Sequence, residues 1–263
     1  MEGTLQIRSW PATAFLIVTA SAIMAADRVS PASTPERRKP VIVELFTSEG
    51  CSSCPPADQL LETLDQSQPV PGAAIIVLSE HVDYWNHIGW ADPYSSPLFS
   101  SRQAAYARRF RLEGSYTPQM IVDGATEFVG SDGRRAQSAI AAAAGLEKVP
   151  VHLSWGVKTV RIEVGALPGS ARWEKADVYL ALARDSGASN VLRGENQGRR
   201  LHHVAIVTSI QHVGSVSAKA RFAKDMPFDG NGHLKDMRII VFVQEPENGR
   251  VWGAAMLRAA HSD

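Results

Sequence analysis

The chain has 263 residues, with 27 Lys and Arg against 27 Asp and Glu, so no basic excess points to nucleic acid and no acidic excess to a cationic partner. Hydrophobic residues at 44% and charged residues at 21% are an ordinary globular composition, long enough for one large or two modest domains. The two cysteines both fall in one short motif, Cys51-Ser52-Ser53-Cys54, which leaves none for a structural crosslink elsewhere.

Residues 1–26 carry Arg8, an apolar stretch over 12–24 and small residues before Asp27, the pattern of a secretory signal peptide. The apolar core is shorter than the ~20 residues a membrane-spanning helix needs. The expectation is an exported protein, periplasmic or secreted, with no stable membrane span after cleavage, in a compartment where a disulfide persists; an uncleaved N-terminal anchor is the alternative. Residues 27–40, with Pro31, Pro35 and Pro40 among polar residues, read as a linker.

The β-branched run from Val41 to Phe46 predicts a buried strand, and Leu60, Leu61 and Leu64 predict an amphipathic helix opening at or near the cysteines. The pair therefore sits on a strand-to-helix turn, where unpaired backbone N–H groups and the positive end of the helix dipole favour a thiolate at Cys51. Residues 73–81 read as a second strand parallel to the first, completing a βαβ unit. A polar aromatic loop (81–93), a helix (98–110), a hairpin turning at Asp123-Gly124, and a helix capped by Ser131 or Asp132 follow. This order, with the cysteine motif after the first strand, is the thioredoxin arrangement, and Pro118 stands where such folds place a cis-proline opposite the cysteines. Beyond residue 150, short runs at 151–155, 159–164, 176–183, 204–210, 218–222, 238–243 and 251–257 predict antiparallel strands, with long connections at 186–200 and 227–236. The expected fold is an α/β thioredoxin-like domain (41–149) followed by a mainly antiparallel β-sandwich or partly closed barrel (150–263) packed on it.

The strings from Glu44 to Asp58, His81-Val82-Asp83-Tyr84-Trp85, Gly89-Trp90, Arg102-Gln103, Tyr116-Thr117-Pro118-Gln119 and Leu192-Arg193-Gly194-Glu195-Asn196 resemble a bacterial family of secreted proteins known as a domain of unknown function. The resemblance spans the mature chain. It implies a thioredoxin-like domain with a β-rich portion behind it, and it brings no established reaction.

Thiol–disulfide exchange is the leading chemistry, with Cys51 as the exposed nucleophile, Cys54 as the resolving cysteine, and Thr117 and Pro118 as the rim for a protein or small-molecule thiol or disulfide substrate. It needs no cofactor beyond the redox-active disulfide. Glu44 is a candidate proton acceptor for Cys54, although one extra residue separates it from the cysteines and a slip of one turns a strand side chain to the other face. Copper or zinc on Cys51, Cys54, His81 and His87 is the alternative, since thiolate and imidazole are suitable donors for both metals. A non-catalytic partner-binding module is the third reading, with Tyr84, Trp85 and Trp90 as either an exposed patch or packing between the halves. Arg193, Glu195, Asn196, Arg199 and Arg200 form a polar loop cluster, either a solvated surface or a cover that the family resemblance permits over the cysteines. His202 and His203 alternate across a strand, so at most one of them faces such a site.

Overall fold

A computed structural model of the chain describes residues 1–4, 6, 38–228 and 236–258. The expected signal peptide and linker lie almost wholly outside the described residues, as does most of the connection expected at 227–236. Glu36–Asp263 forms one compact unit.

Strands β1 (Lys39–Thr47) and β2 (Ala73–His81) pair in parallel without a break in register, from Lys39 opposite Ala73 to Thr47 opposite His81. The chain crosses between them through α1 (Pro55–Ser67). Because strand side chains alternate, Val41, Val43 and Leu45 with Ile75 and Val77 face one way. They pack on Leu61 and Leu64 of α1 and on Ile140 of α3 (Gly133–Gly145). Ile42, Phe46, Ile76 and Leu78 face the other way, against Phe99 and Tyr106 of α2 (Pro97–Phe110). Ser96 accepts from the Leu98 amide to cap α2, and Asp132 accepts from the Arg135 amide to cap α3. On the other edge of β1, β3 (Gln119–Val122) runs antiparallel and turns through Asp123 and Gly124 onto β4 (Thr126–Val129).

The second half holds β5 (Val151–Trp155), β6 (Thr159–Val164), a long hairpin of β7 (Lys175–Asn190) and β8 (Arg200–Ser217), then β9 (Phe222–Pro227), β10 (Met237–Gln244) and β11 (Val251–Arg258). Here the expected architecture is corrected. An α/β thioredoxin-like domain followed by a separate sandwich or partly closed barrel is not what forms. Among the described residues the chain is mostly β, and eight strands make one mixed sheet in the order β11-β10-β7-β8-β2-β1-β3-β4, with no closed barrel. Strand β8 joins the free edge of β2 in parallel, Ile206 beside Ser79, so the C-terminal strands extend the first sheet. Edge strands carry unpaired N–H and C=O groups that favour such an addition, and hydrophobic alternation alone does not say which edge a later strand will take. Strands β5, β6 and β9 form a second, three-stranded sheet.

Both faces of β10 are buried as a result. Ile240 and Phe242 join the core around Ile42 and Phe46, while Ile239, Val241 and Val243 pack with Val160, Ile162 and Val164 of the small sheet. Full burial of each such side chain contributes about 1.5–3 kcal/mol, so the halves are held by a shared core. A buried polar knot reinforces it. Arg102 of α2 donates to Glu44 of β1 at 2.6 Å and to Gln244 of β10 at 3.0 Å, and the Tyr106 hydroxyl donates to Glu44 at 2.5 Å. Among the described residues no helix is long and apolar enough to cross a membrane.

Candidate functional site

Cys51 and Cys54 are joined by a disulfide at the start of α1, and both are fully buried, so the exposure expected for Cys51 is not found. Pro55 occupies the first helical position, where its missing N–H costs nothing. The Ala57 and Asp58 amides donate to the Cys54 carbonyl at 2.8 and 3.1 Å. No side chain caps this helix end, so its positive dipole end remains available to charge on sulfur.

The Thr117–Pro118 peptide bond is cis, and two contacts bring this segment beside the cysteine turn. The Trp85 indole N–H donates to Thr117 Oγ1 at 2.8 Å, while a Cβ on Gly50 would lie 3.1 Å from Trp85 Cβ. One tryptophan thus spans the residue before Cys51 and the residue before Pro118. Gly130 supplies the second link. A side chain there would meet Leu45 at 2.7 Å, Pro118 at 3.1 Å and Ala57 of α1 at 3.2 Å, so the proline and the first turn of α1 converge on one glycine.

The hairpin of β7 and β8 reaches over this turn, and the segment joining its strands, residues 191–199, lies on the cysteines as a strap. The long connection expected at 186–200 is shorter than that, because β7 continues to Asn190 opposite Arg200. Asn196 is fully buried and donates its amide to the carbonyls of Glu49 and Cys51, both at 2.9 Å. Glu195 accepts from the Ser52 amide at 3.0 Å, and hydrogen bonds from Ser52 hold its carboxyl below the usual range. Gly194, at φ +78°, makes the turn that lets the strap lie against Trp90.

Behind the cysteines lies a cluster of buried acids and histidines. His203 of β8 holds Nε2 at 3.2 Å from Glu49 Oε1 and Nδ1 at 3.7 Å from Asp58 Oδ1. Burial alone would push His203 down, but the carboxylates of Asp58 and Glu49 outweigh it and raise the imidazole to about 10. Glu49 also accepts from the Trp90 indole at 2.8 Å. Its amide donates to Asp92, which pairs with His81 Nδ1 at 2.7 Å. Burial would raise the Asp92 carboxyl, but His81 and the amides of Glu49 and Tyr94 hold it low. The rings of His81 and His203 meet edge to face at 4.6 Å. His203 faces inward while His202 points out toward Glu62, as alternation requires.

Two sequence candidates are corrected. Glu44 is not placed to serve Cys54. Register in β1 is continuous, so Glu44 shares the α2 face with Ile42 and Phe46, opposite the face that α1 covers, and its carboxylate is taken by Arg102 and Tyr106. The candidate ligands Cys51, Cys54, His81 and His87 are not brought together: His87 is exposed on the 3₁₀ turn Asn86–Ile88, and among the described residues no group of three or more metal-ligating side chains is gathered. The aromatic residues make no single patch: Trp85 and Trp90 orient Thr117 and Glu49, and Tyr84 donates to Gln103. The sequence reading missed Glu49, Asp58 and Asp92, and it gave His203 no partner.

The model of a family described as a protein of unknown function, DUF1223, matches residues 42–244. A crystal structure of an Agrobacterium tumefaciens protein is 28% identical, covers 88% of this chain and 98% of that one, and superposes with a TM-score of 0.70. HBP35 of Porphyromonas gingivalis, 16% identical over 88% of this chain and 78% of that one, has a TM-score of 0.58 and shares the fold. No curated protein matches the chain.

Proposed function

The chain belongs to the DUF1223 family, whose description names no activity, and from the site itself we propose that it is an exported thiol–disulfide oxidoreductase working through Cys51 and Cys54. The observation that carries this is the placing of the chain's two cysteines, as a disulfide, at an uncapped helix start with Thr117 and Pro118 beside it. A substrate thiolate attacks Cys51 Sγ and forms a mixed disulfide, the bond to Cys54 breaks, and a second substrate thiol releases the substrate as its own disulfide. Cys51 is the sulfur attacked because it lies in the turn before the helix, whereas Cys54 is its N-cap residue. The backbone around Thr117 offers an extended substrate edge hydrogen bonds. The apolar segment in residues 12–24 fits an oxidising destination, where the pair rests as a disulfide.

The test is turnover of a peptide dithiol with oxidised glutathione as terminal acceptor. Wild type should accelerate peptide oxidation, and Cys51→Ser should reduce the rate to that without protein. A wild-type rate equal to the protein-free rate defeats the proposal.

A further inference from the structure

Opening the disulfide leaves an electron pair on Cys54 Sγ, which is buried and must gain a proton or stay charged away from water. Solvent is remote from that sulfur, and Glu44 is occupied on the other face of the sheet. Resting on the redox function proposed above, we propose that Asp58 delivers this proton to Cys54, with His203 as the proton's store and Glu49 as the residue that positions His203.

Geometry places Asp58 for the task. Cys54 has helical backbone angles, φ −76° and ψ −37°, and Asp58 follows it by four residues, so their side chains lie on one face of the first turn. Side chains on a helix lean toward its N-terminus, which tips the Asp58 carboxylate back over Cys54. Asp58 is 7% exposed, and its Oδ1 has no hydrogen-bond partner, although a buried carboxylate oxygen is normally satisfied. His203 Nδ1, 3.7 Å from that oxygen, is likewise buried without a hydrogen bond. A donor and an acceptor thus face each other across a gap slightly longer than a bond, with the acceptor one helical turn after the residue whose sulfur changes charge. The groups around His203 leave the pair otherwise isolated: Glu49 from the turn before Cys51, His81 from β2 with Asp92 behind it, and Tyr94, whose ring is 5.8 Å away.

The step balances. A substrate thiolate bonds to Cys51 Sγ, and the bond between Cys51 and Cys54 breaks with its electron pair on Cys54. The His203 imidazolium gives its Nδ1 proton to Asp58, and Asp58 gives one to Cys54. The substrate's second thiolate then bonds to its first sulfur and expels Cys51 as a thiolate at the helix start. The dithiol substrate is oxidised, the protein disulfide is reduced, and neutral His203 recovers a proton from solvent. His203 and Glu49 are positioning residues, because neither touches the reacting sulfur.

Single-turnover reduction of the oxidised full-length protein by excess dithiothreitol tests the relay, with rates divided by reagent thiolate concentration at each pH from 7 to 11, a window that brackets the His203 value of about 10. For wild type the normalised rate should fall toward high pH as His203 loses its proton. Asp58→Asn should lower the normalised rate at least tenfold and flatten its pH profile, Asp58→Glu should restore most of it, and His203→Gln should flatten the profile with Asp58 intact. Normalised rates for folded Asp58→Asn and His203→Gln that match wild type at every pH overturn the relay. If either variant fails to fold, the other decides. Failure of the peptide-oxidation assay with the relay profile intact would instead remove the proposed physiological function and leave the proton path standing.

Discussion

The sheet carries two buried acid clusters, one on each face, and they differ in the cation each acid is given. On the α2 face, Glu44 and Glu80 meet Arg102, whose guanidinium never gives up its proton in the working range. Burial pushes Arg102 down, but Glu44, Tyr106 and Glu80 more than reverse it. Burial and the neighbouring Glu44 push the Glu80 carboxyl well above its ordinary value. That cluster is built around a cation that keeps its charge, and it links β1, β2, α2 and β10. On the α1 face, Glu49 and Asp58 meet a histidine, whose proton, unlike that of Arg102, is released as pH rises through about 10, and they meet it close to the disulfide. The same desolvated carboxylates serve structure where the cation is fixed and are available for chemistry where it titrates.

Removing each cation should expose that difference. Arg102→Met leaves Glu44 buried without its partner and should cost about 3–5 kcal/mol of stability, measured by urea unfolding. The folded fraction should still react with dithiothreitol at the wild-type rate. A change in that rate without loss of stability would erase the distinction between the faces. A smaller effect is expected on the other side. The folded pKa of His203, about 10, lies above the ordinary value of 6.5, so its contribution to stability is complete below pH 6.5 and is lost as pH rises through 10. Between pH 7 and 9 it should decline by about 1 kcal/mol per pH unit, a slope that follows from one proton held by the folded state alone. Unfolding curves across that window should show the decline in wild type and lack it in His203→Gln; parallel curves would mean that His203 is not held charged.

Local features of both clusters were readable, and their assembly was not. The strand at Val41, the helix after Cys54, the Asp132 cap and the position of Pro118 each depend on neighbours a few residues away. His203 lies 154 residues from Glu49, and nothing in either local string marks the other. Strand β7 runs on through Asp185, Ser186, Gly187, Ala188 and Ser189, which carry no apolar alternation and are held by pairing with β8. The sequence therefore read as loop where the hairpin continues, and as a separate β domain where β8 closes onto β2. Glu44 was misplaced for a different reason. Its character as a buried acid near the motif is real, but one residue of strand alternation assigns it to the structural face.

The strap bears on how far the chemistry of the α1 face is open to a substrate, because it is hydrogen-bonded to the backbone on both sides of Cys51 and both cysteines are fully buried. Asn196→Ala removes one side chain and leaves two carbonyls, those of Glu49 and Cys51, buried without their donor, at a cost of about 1–3 kcal/mol to the closed strap. If reduction waits on opening, dithiothreitol should reduce this variant about tenfold faster than wild type, which corresponds to about 1.4 kcal/mol. Glu195→Gln should act in the same direction more weakly, since Glu195 holds the exposed end of the strap. Its carboxyl is held below the ordinary value of 4.5 by Ser52, so the contact is complete above pH 4.5 and weakens as pH falls through the lower, folded value. Hydrogen exchange at the Ser52 amide should accordingly depart from its ordinary pH dependence in wild type below pH 4.5 and not in Glu195→Gln. A disulfide reduced equally fast in wild type and Asn196→Ala would mean that the strap is no barrier and that substrates reach Cys51 by another side of the turn.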